Sequence, residues 1–233
     1  MIYKKETDLP KNRRRKAQIE KLLDTAMKIV SIDGAEALTM QNLAHRLDFT
    51  PGALYRYYSS KDQIIAELQI KCIQEFNNVF ELAKNKINES VKNSELRSIV
   101  FIVTIGEIFG NFAFEEPLKF GFLTNILVEP KVMVDDINTS KVADEFKNLF
   151  LKVSFPFFEA VNKKIMNPGN PAERALIYIA SLQGILQLRK LSRIDSGLFD
   201  PVLLRKNLTK SLLLGWGVSE ENFNKAQEFC LSS

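Results

Sequence analysis

Apolar residues recur every three or four positions through most of the chain, the period of helices with one buried face. Ile19, Leu22, Leu23, Ala26, Ile29 and Val30 form one such stripe on a helix predicted over 13–33. Asp33-Gly34 ends it, because glycine accepts the left-handed turn that closes a helix. Thr39 then stands as an N-cap before a short helix that buries Met40, Leu43, Ala44 and Leu47, and Asp48 suits a left-handed turn. Thr50-Pro51 opens a third helix through Tyr58: threonine is a capping type, and proline belongs at the first helical position. Leu54 and Tyr58, four apart, face inward, which leaves Gly52, Ala53, Tyr55, Arg56 and Tyr57 at or near the outer face. Ser60 and Gln63 make a capping box at the head of a long helix through about Ile87.

Further helices are predicted at 94–114, capped by Ser94, and at 117–128, with Pro117 in its first turn. Residues 129–139 have the character of a loop. A helix over 141–166 contains Pro156, which is expected to kink it. Asn170-Pro171 opens a helix to about Arg193, Asp200-Pro201 one to about Leu214, and Ser219 caps a last one ending near Phe229. No alternating strand pattern appears, so the fold class is all-α. The expected domains are 1–62, a three-helix helix-turn-helix unit with a basic arm, and 63–233, a larger helical domain. The 171–193 helix is apolar around most of its circumference and must bury more than one face. Its Ile177, Ser181, Gly184 and Leu188, with Leu204, Leu208 and Leu212 on the next helix, suit a dimer interface, Ser181 and Gly184 permitting close approach. The lesser alternative is that both are simply core helices.

Charge is unevenly placed. The first 62 residues hold 12 Lys and Arg against 8 Asp and Glu, while the remainder holds 20 of each. The excess gathers at Lys11, Arg13, Arg14, Arg15, Lys16 and Lys21. Such a block attracts phosphate backbones, attracts anionic lipid, or serves only as a solvated arm. No apolar run approaches the ~20 residues of a membrane span, and no apolar stretch backs the N-terminal charges as in a secretory signal. A cytoplasmic location without membrane contact is therefore expected. Cys72 and Cys230 fit no metal spacing and are expected to be reduced and structural. The single histidine, His45, is the only residue a Ser-His-Asp triad could use, and it rules out a His-rich metal site. With no phosphate-binding glycine loop or paired acidic motif either, no enzyme activity, cofactor or metal is expected.

Two short helices joined by a tight turn, the second exposing small, aromatic and basic side chains, form a helix-turn-helix able to enter a major groove. The stretch Thr39–Tyr58, TMQNLAHRLDFTPGALYRYY, followed by SSKDQI, resembles the signature of the TetR family of transcriptional regulators. The matching elements are Thr39, Leu43-Ala44, Gly52-Ala53-Leu54-Tyr55, Tyr57-Tyr58 and Ser60-Lys61-Asp62. The resemblance covers roughly residues 13–65. One departure is Asp48-Phe49, where the family usually has glycine and a small apolar residue; Phe49 is expected to pack inward.

The resemblance implies a homodimer on palindromic double-stranded DNA. Thr39, Tyr57 and Lys61 would hold phosphates, and Thr50, Pro51, Gly52, Tyr55 and Arg56 would lie near bases or backbone. Ala53, Arg14 and Arg15 complete the expected DNA-binding set. It also implies an isologous interface through the two helices named above, and an effector pocket in the middle helices. Phe109, Phe112, Phe120, Phe155, Phe158 and Tyr178 are the candidates for that pocket, with a small hydrophobic effector and a repressor's role. A regulator answering to a protein partner, without a small-molecule pocket, is the alternative.

Overall fold

The computed structural model describes residues 10–128 and 137–232, and all regular structure among them is helical. The elements are α1 (Pro10–Asp33), a 3-10 turn (Ala35–Ala37), α2 (Met40–Arg46), α3 (Pro51–Tyr55), α4 (Lys61–Ser90) and α5 (Ser94–Glu115). They continue with α6 (Pro117–Val128), α7 (Ile137–Asn162), α8 (Pro171–Leu188), a 3-10 turn (Arg189–Arg193), α9 (Pro201–Gly215) and α10 (Glu220–Ser232). Two units emerge. The first runs through Lys71 and includes the start of α7 up to Val142; the second comprises Cys72 onward, without that start. Helix α4 contributes residues to both.

The caps explain most boundaries. Asn170 Oδ1 accepts from the N–H groups of Ala172 and Glu173, and Asp200 Oδ1 from those of Val202 and Leu203, each just before a proline. Ser219 Oγ accepts from Asn222 N at 3.2 Å. At α5 the cap is Asn93, whose Oδ1 takes both Glu95 N and Leu96 N; Ser94, expected as the cap, is instead the first helical residue. Helix α7 begins at Ile137, within the stretch expected to be loop, whose residues 129–136 lie outside the described ones. It ends four residues earlier than expected: Lys164 is left-handed (φ 56), and the amides of Lys164 and Ile165 bond back to Val161 and Ala160, stopping the helix. Helix α8 gives way to a 3-10 turn at Arg189, short of the expected end.

Within the second unit, α5 is the central helix, with Ile99, Val100, Ile102, Val103, Ile105 and Ala113 almost wholly enclosed. It packs against α6, α8, α9 and α10. By length and composition it could cross a membrane, against the expectation that no segment would; two thirds (67%) of its apolar window is buried inside the protein. Few polar residues interrupt it because it meets neighbours on nearly every side. The unit's interior is aromatic: Phe157 meets Tyr178 and Trp216 at 5.8 and 6.0 Å, and Phe76, Phe109 and Phe120 interlock edge to face. Several polar side chains reach across helices, although the buried Nε of Arg205 and Nε2 of Gln69 have no hydrogen-bond partner among the described residues. Arg205 of α9 donates to Gly106 O (2.8 Å) and pairs with Glu107 (2.6 Å), and Arg189 donates to Ala113 O (3.0 Å).

Candidate nucleic-acid interface

The first unit builds its outer face from an inner one. Thr39 Oγ1 accepts from Asn42 N at 3.0 Å, and Asn42 Nδ2 donates to Ala37 O at 2.8 Å, so the start of α2 is tied to the preceding turn. Leu43, Ala44 and Leu47 point inward with Leu22, Ala26, Ile29 and Leu38. Asp48 takes a left-handed conformation (φ 56). Its N–H bonds to His45 O at 3.2 Å, and Phe49 N bonds to Ala44 O at 2.9 Å. This is the paired bond pattern that satisfies the last carbonyls of a helix, here with aspartate where glycine is commoner. Thr50 Oγ1 then accepts from Ala53 N at 3.3 Å and starts α3 about one turn later.

Helix α3 stops at Tyr55, with Arg56 as its C-cap, rather than running through Tyr58; Leu54 within it is fully enclosed and Tyr58 just beyond it nearly so, which orients the segment. Pro51, Gly52, Tyr55 and Arg56 are exposed, Tyr55 by 53%. A Cβ on Gly52 would meet nothing within 4 Å, so the glycine keeps an open surface on which another molecule's backbone could come close. Ala53 and Tyr57 are half-buried. Phe49, half-buried rather than in the core, stacks on Tyr57 with ring centroids 6.3 Å apart, and the Arg15 guanidinium of α1 lies 5.9 Å from the same Tyr57 ring. That contact joins the basic face of α1, where Arg13, Arg14 and Arg15 are all exposed, to the end of the recognition segment. Lys61 Nζ donates to Ala35 O at 3.2 Å, which holds it beside the turn between α1 and α2. His45 is exposed on α2. The capping box at α4 forms with one change: Gln63 N donates to Ser60 Oγ, but Gln63 Oε1 accepts from Ser59 N, one residue before the expected donor.

Burial, and secondarily the Glu67 carboxylate, raises the Tyr58 phenol to about 12. The folded unit therefore holds this proton more tightly than the unfolded chain, and the associated stability is complete below pH 10 and lost between pH 10 and about 12. Helicity followed against urea across this range should show the loss in the wild type and a flatter profile in Tyr58→Phe.

In the second unit the six candidate pocket residues divide. Phe109 lines an apolar cavity of ≈ 30 Å³ with Phe76, Phe146, Leu149, Phe150 and Ile179 among others, Thr124 supplying a hydroxyl that donates to Phe120 O. Phe120 touches Phe109 from behind at 4.9 Å, and Phe112 meets Phe76 at 5.5 Å; both are buried. Tyr178 is fully buried, its hydroxyl near Ile102 O and Thr209 Oγ1. Phe155 and Phe158 are instead 56% and 52% exposed, because Pro156 and Phe157 occupy the inward side of α7. Sequence reasoning misses Phe146, Leu149, Phe150 and Val153, although their three-and-four spacing marks one face of α7. Of the interface candidates, Ile177, Gly184 and Leu188 are exposed and Ser181, Leu204, Leu208 and Leu212 half-buried, on two helices packed together. Among the described residues, no cluster of His, Cys, Asp and Glu could hold a metal ion.

Residues 22–68 match the model of the tetR family of bacterial regulatory proteins. No curated protein sequence matches the chain. Solved structures share the fold over most of both chains. A Rhodococcus sp. RHA1 protein of unknown function superposes with a TM-score of 0.67 at 16% identity, covering 85% of this chain and 95% of that one. A bacterial regulatory protein in the tetR family from Rhodococcus RHA1 does so at 0.58 and 15%, covering 87% and 98%. PfmR, a TetR family transcriptional regulator from Thermus thermophilus, does so at 0.54 and 18%, covering 83% and 97%. Residues 22–68 thus carry the helix-turn-helix of the tetR family of bacterial regulatory proteins, set in an all-helical fold that the chain shares with these solved structures.

Proposed function

We propose that the protein is a cytoplasmic homodimeric repressor that reads a palindromic operator through residues 1–62 and is released by a small apolar effector bound within 63–233. The observation that carries the DNA-reading part is the surface of α3 and its C-cap: Pro51, Gly52, Tyr55 and Arg56 open to solvent on a segment anchored by Leu54 and, just past the helix, Tyr58, with a file of exposed arginines on α1. In this reading Thr39, Tyr57, Lys61, Arg14 and Arg15 hold phosphates, which set register, while Thr50, Pro51, Gly52, Ala53, Tyr55 and Arg56 lie against base edges or nearby backbone. Two copies joined through Ile177, Ser181, Gly184 and Leu188 with Leu204, Leu208 and Leu212 would bury an apolar stripe left open in one chain and present two α3 helices to successive major grooves, ~34–36 Å apart.

The effector reading is supported by the aromatic cavity around Phe109. Its ≈ 30 Å³ leaves room for about one water, so a ligand must first displace side chains such as the half-buried Phe146, Phe150 and Ile179. The compact form is then the DNA-competent one, and an effector binding the opened form better shifts the population, with α4 as the continuous element shared by the two units. The same small volume favours a second reading, in which a protein partner replaces the small molecule.

Selection of bound sequences from random duplex DNA tests the central reading. Wild type should enrich a palindrome. Tyr57→Ala and Lys61→Ala should each weaken binding roughly tenfold across sequences, and Lys61→Ala should lower the salt slope by about one. Recovery of no sequence at moderate salt, or of unpaired half-sites only, would refute the dimeric operator.

A further inference from the structure

The second unit carries a separate groove of ≈ 460 Å³ between α4, α5 and α7, a volume typical of small-molecule sites rather than of protein-docking faces. Phe80 and Phe101 form its buried floor, and Leu151 and Phe155 its rim; those two are 57% and 56% exposed, unusual for a soluble helix face with no partner. Three cations, Lys84, Arg97 and Lys152, line the same groove against one carboxylate, Glu159. Most of these charges are already matched. Lys152 pairs with Glu81 at 2.9 Å and donates to Asn77 at 2.8 Å, Lys84 pairs with the same Glu81 at 3.5 Å, and Glu159 is held by Lys163 at 2.8 Å. The Lys152 hydrogen bond is the main reason that the Glu81 carboxyl lies below its usual range. Arg97 differs: among the described residues it has no carboxylate or hydrogen-bond partner for its side chain, although it is half-buried. It stands in the first turn of the 22-residue α5, where the helix end adds to the positive potential.

We propose that this groove binds an amphipathic carboxylate of medium chain length, its aliphatic chain along Phe80, Phe101, Leu151 and Phe155 and its head on the Arg97 guanidinium. A planar five-donor fork recognises a carboxylate with two parallel hydrogen bonds, and the apolar rim gains by being covered. The site is distinct from the cavity at Phe109, with which it shares no lining residue, and it stands or falls independently of DNA binding.

Calorimetric titration of the intact protein with decanoate, and with decanol as the neutral-headed comparison, tests it. Decanoate should saturate at one per chain, at least about tenfold more tightly than decanol, the value of a charged hydrogen-bonded pair. Arg97→Gln should remove that advantage and leave decanol binding unchanged. Leu151→Asp, a change at an exposed position, should abolish binding of both. Ile179→Phe, which fills the cavity at Phe109, should alter neither; a thermal scan of each variant confirms its fold. Equal binding of decanoate and decanol, an unaffected Arg97→Gln, or loss of decanoate binding in folded Ile179→Phe would overturn the assignment.

Discussion

Phe157→Ala is expected to lower the unfolding free energy by about 3–5 kcal/mol, the range for deleting a buried aromatic ring. Phe157 is wholly enclosed, and its ring meets Tyr178 of α8 at 5.8 Å and Trp216, just past α9, at 6.0 Å. Neither neighbour is free to collapse into the vacated space. The Tyr178 hydroxyl is held at Ile102 O and Thr209, and the Trp216 ring is covered by the Arg174 guanidinium at 5.7 Å. The cost should therefore include a cavity contribution as well as lost transfer energy. Phe155→Ala, two residues earlier on the same helix, should change stability by no more than about 0.5 kcal/mol, as its ring is already more than half in water. Urea denaturation read by circular dichroism separates the two, and the emission of Trp216, the only tryptophan, should shift in the first variant alone. Similar losses for both would show that α7 is not seated in the register described.

Gly106→Ala is expected to cost about 2–4 kcal/mol, combining overpacking with loss of a buried hydrogen bond. A Cβ at this position falls on the Tyr178 hydroxyl oxygen. That oxygen is 3.2 Å from Ile102 O and 3.0 Å from Thr209 Oγ1, while Thr209 itself donates to Arg205 O at 2.9 Å. The hydroxyl thus joins α5, α8 and α9 and has no alternative position. Tyr178→Phe alone should cost about 1 kcal/mol. Once the hydroxyl is gone, the nearest ring carbon lies 3.4 Å from the added methyl, an ordinary contact. The double variant Gly106→Ala/Tyr178→Phe should therefore be less destabilised than the sum of the singles, with a coupling of about 1–3 kcal/mol in a double-mutant cycle. Strict additivity would mean that the helices move apart instead of clashing at this point.

Much of the molecule was legible in the chain because its determinants are local. Thr39, Thr50, Asn170, Asp200 and Ser219 cap the helices they were expected to cap, since a side-chain oxygen two or three residues from an orphan N–H needs no distant partner. The left-handed Asp48 and the inward Leu54 and Tyr58 follow from the same short-range rules, and with them the outward set of Pro51, Gly52, Tyr55 and Arg56. Where two local choices compete, the chain alone misleads: Ser94 and Asn93 are both capping types, and the amide side chain won. Lys164 carries no turn signature, yet it ends α7 in a left-handed conformation.

The sequence by itself determined the helical class, the helix-turn-helix and its likeness to the tetR family over residues 22–68, because period, caps and a short motif are properties of neighbours along the chain. Tertiary structure alone decided which of the many phenylalanines are core, cavity wall or surface. Phe155, Phe157 and Phe158 are equivalent in composition, and only the position of α8 and of Trp216 separates the enclosed ring from the two exposed ones. It also decided that Arg205 meets Glu107 and the Gly106 carbonyl of α5, that Arg189 meets the Ala113 carbonyl, and that Arg97, among the described residues, is left without a partner beside an apolar groove. Those outcomes depend on residues dozens of positions apart meeting in space, and no local pattern encodes which charge will find its counterpart.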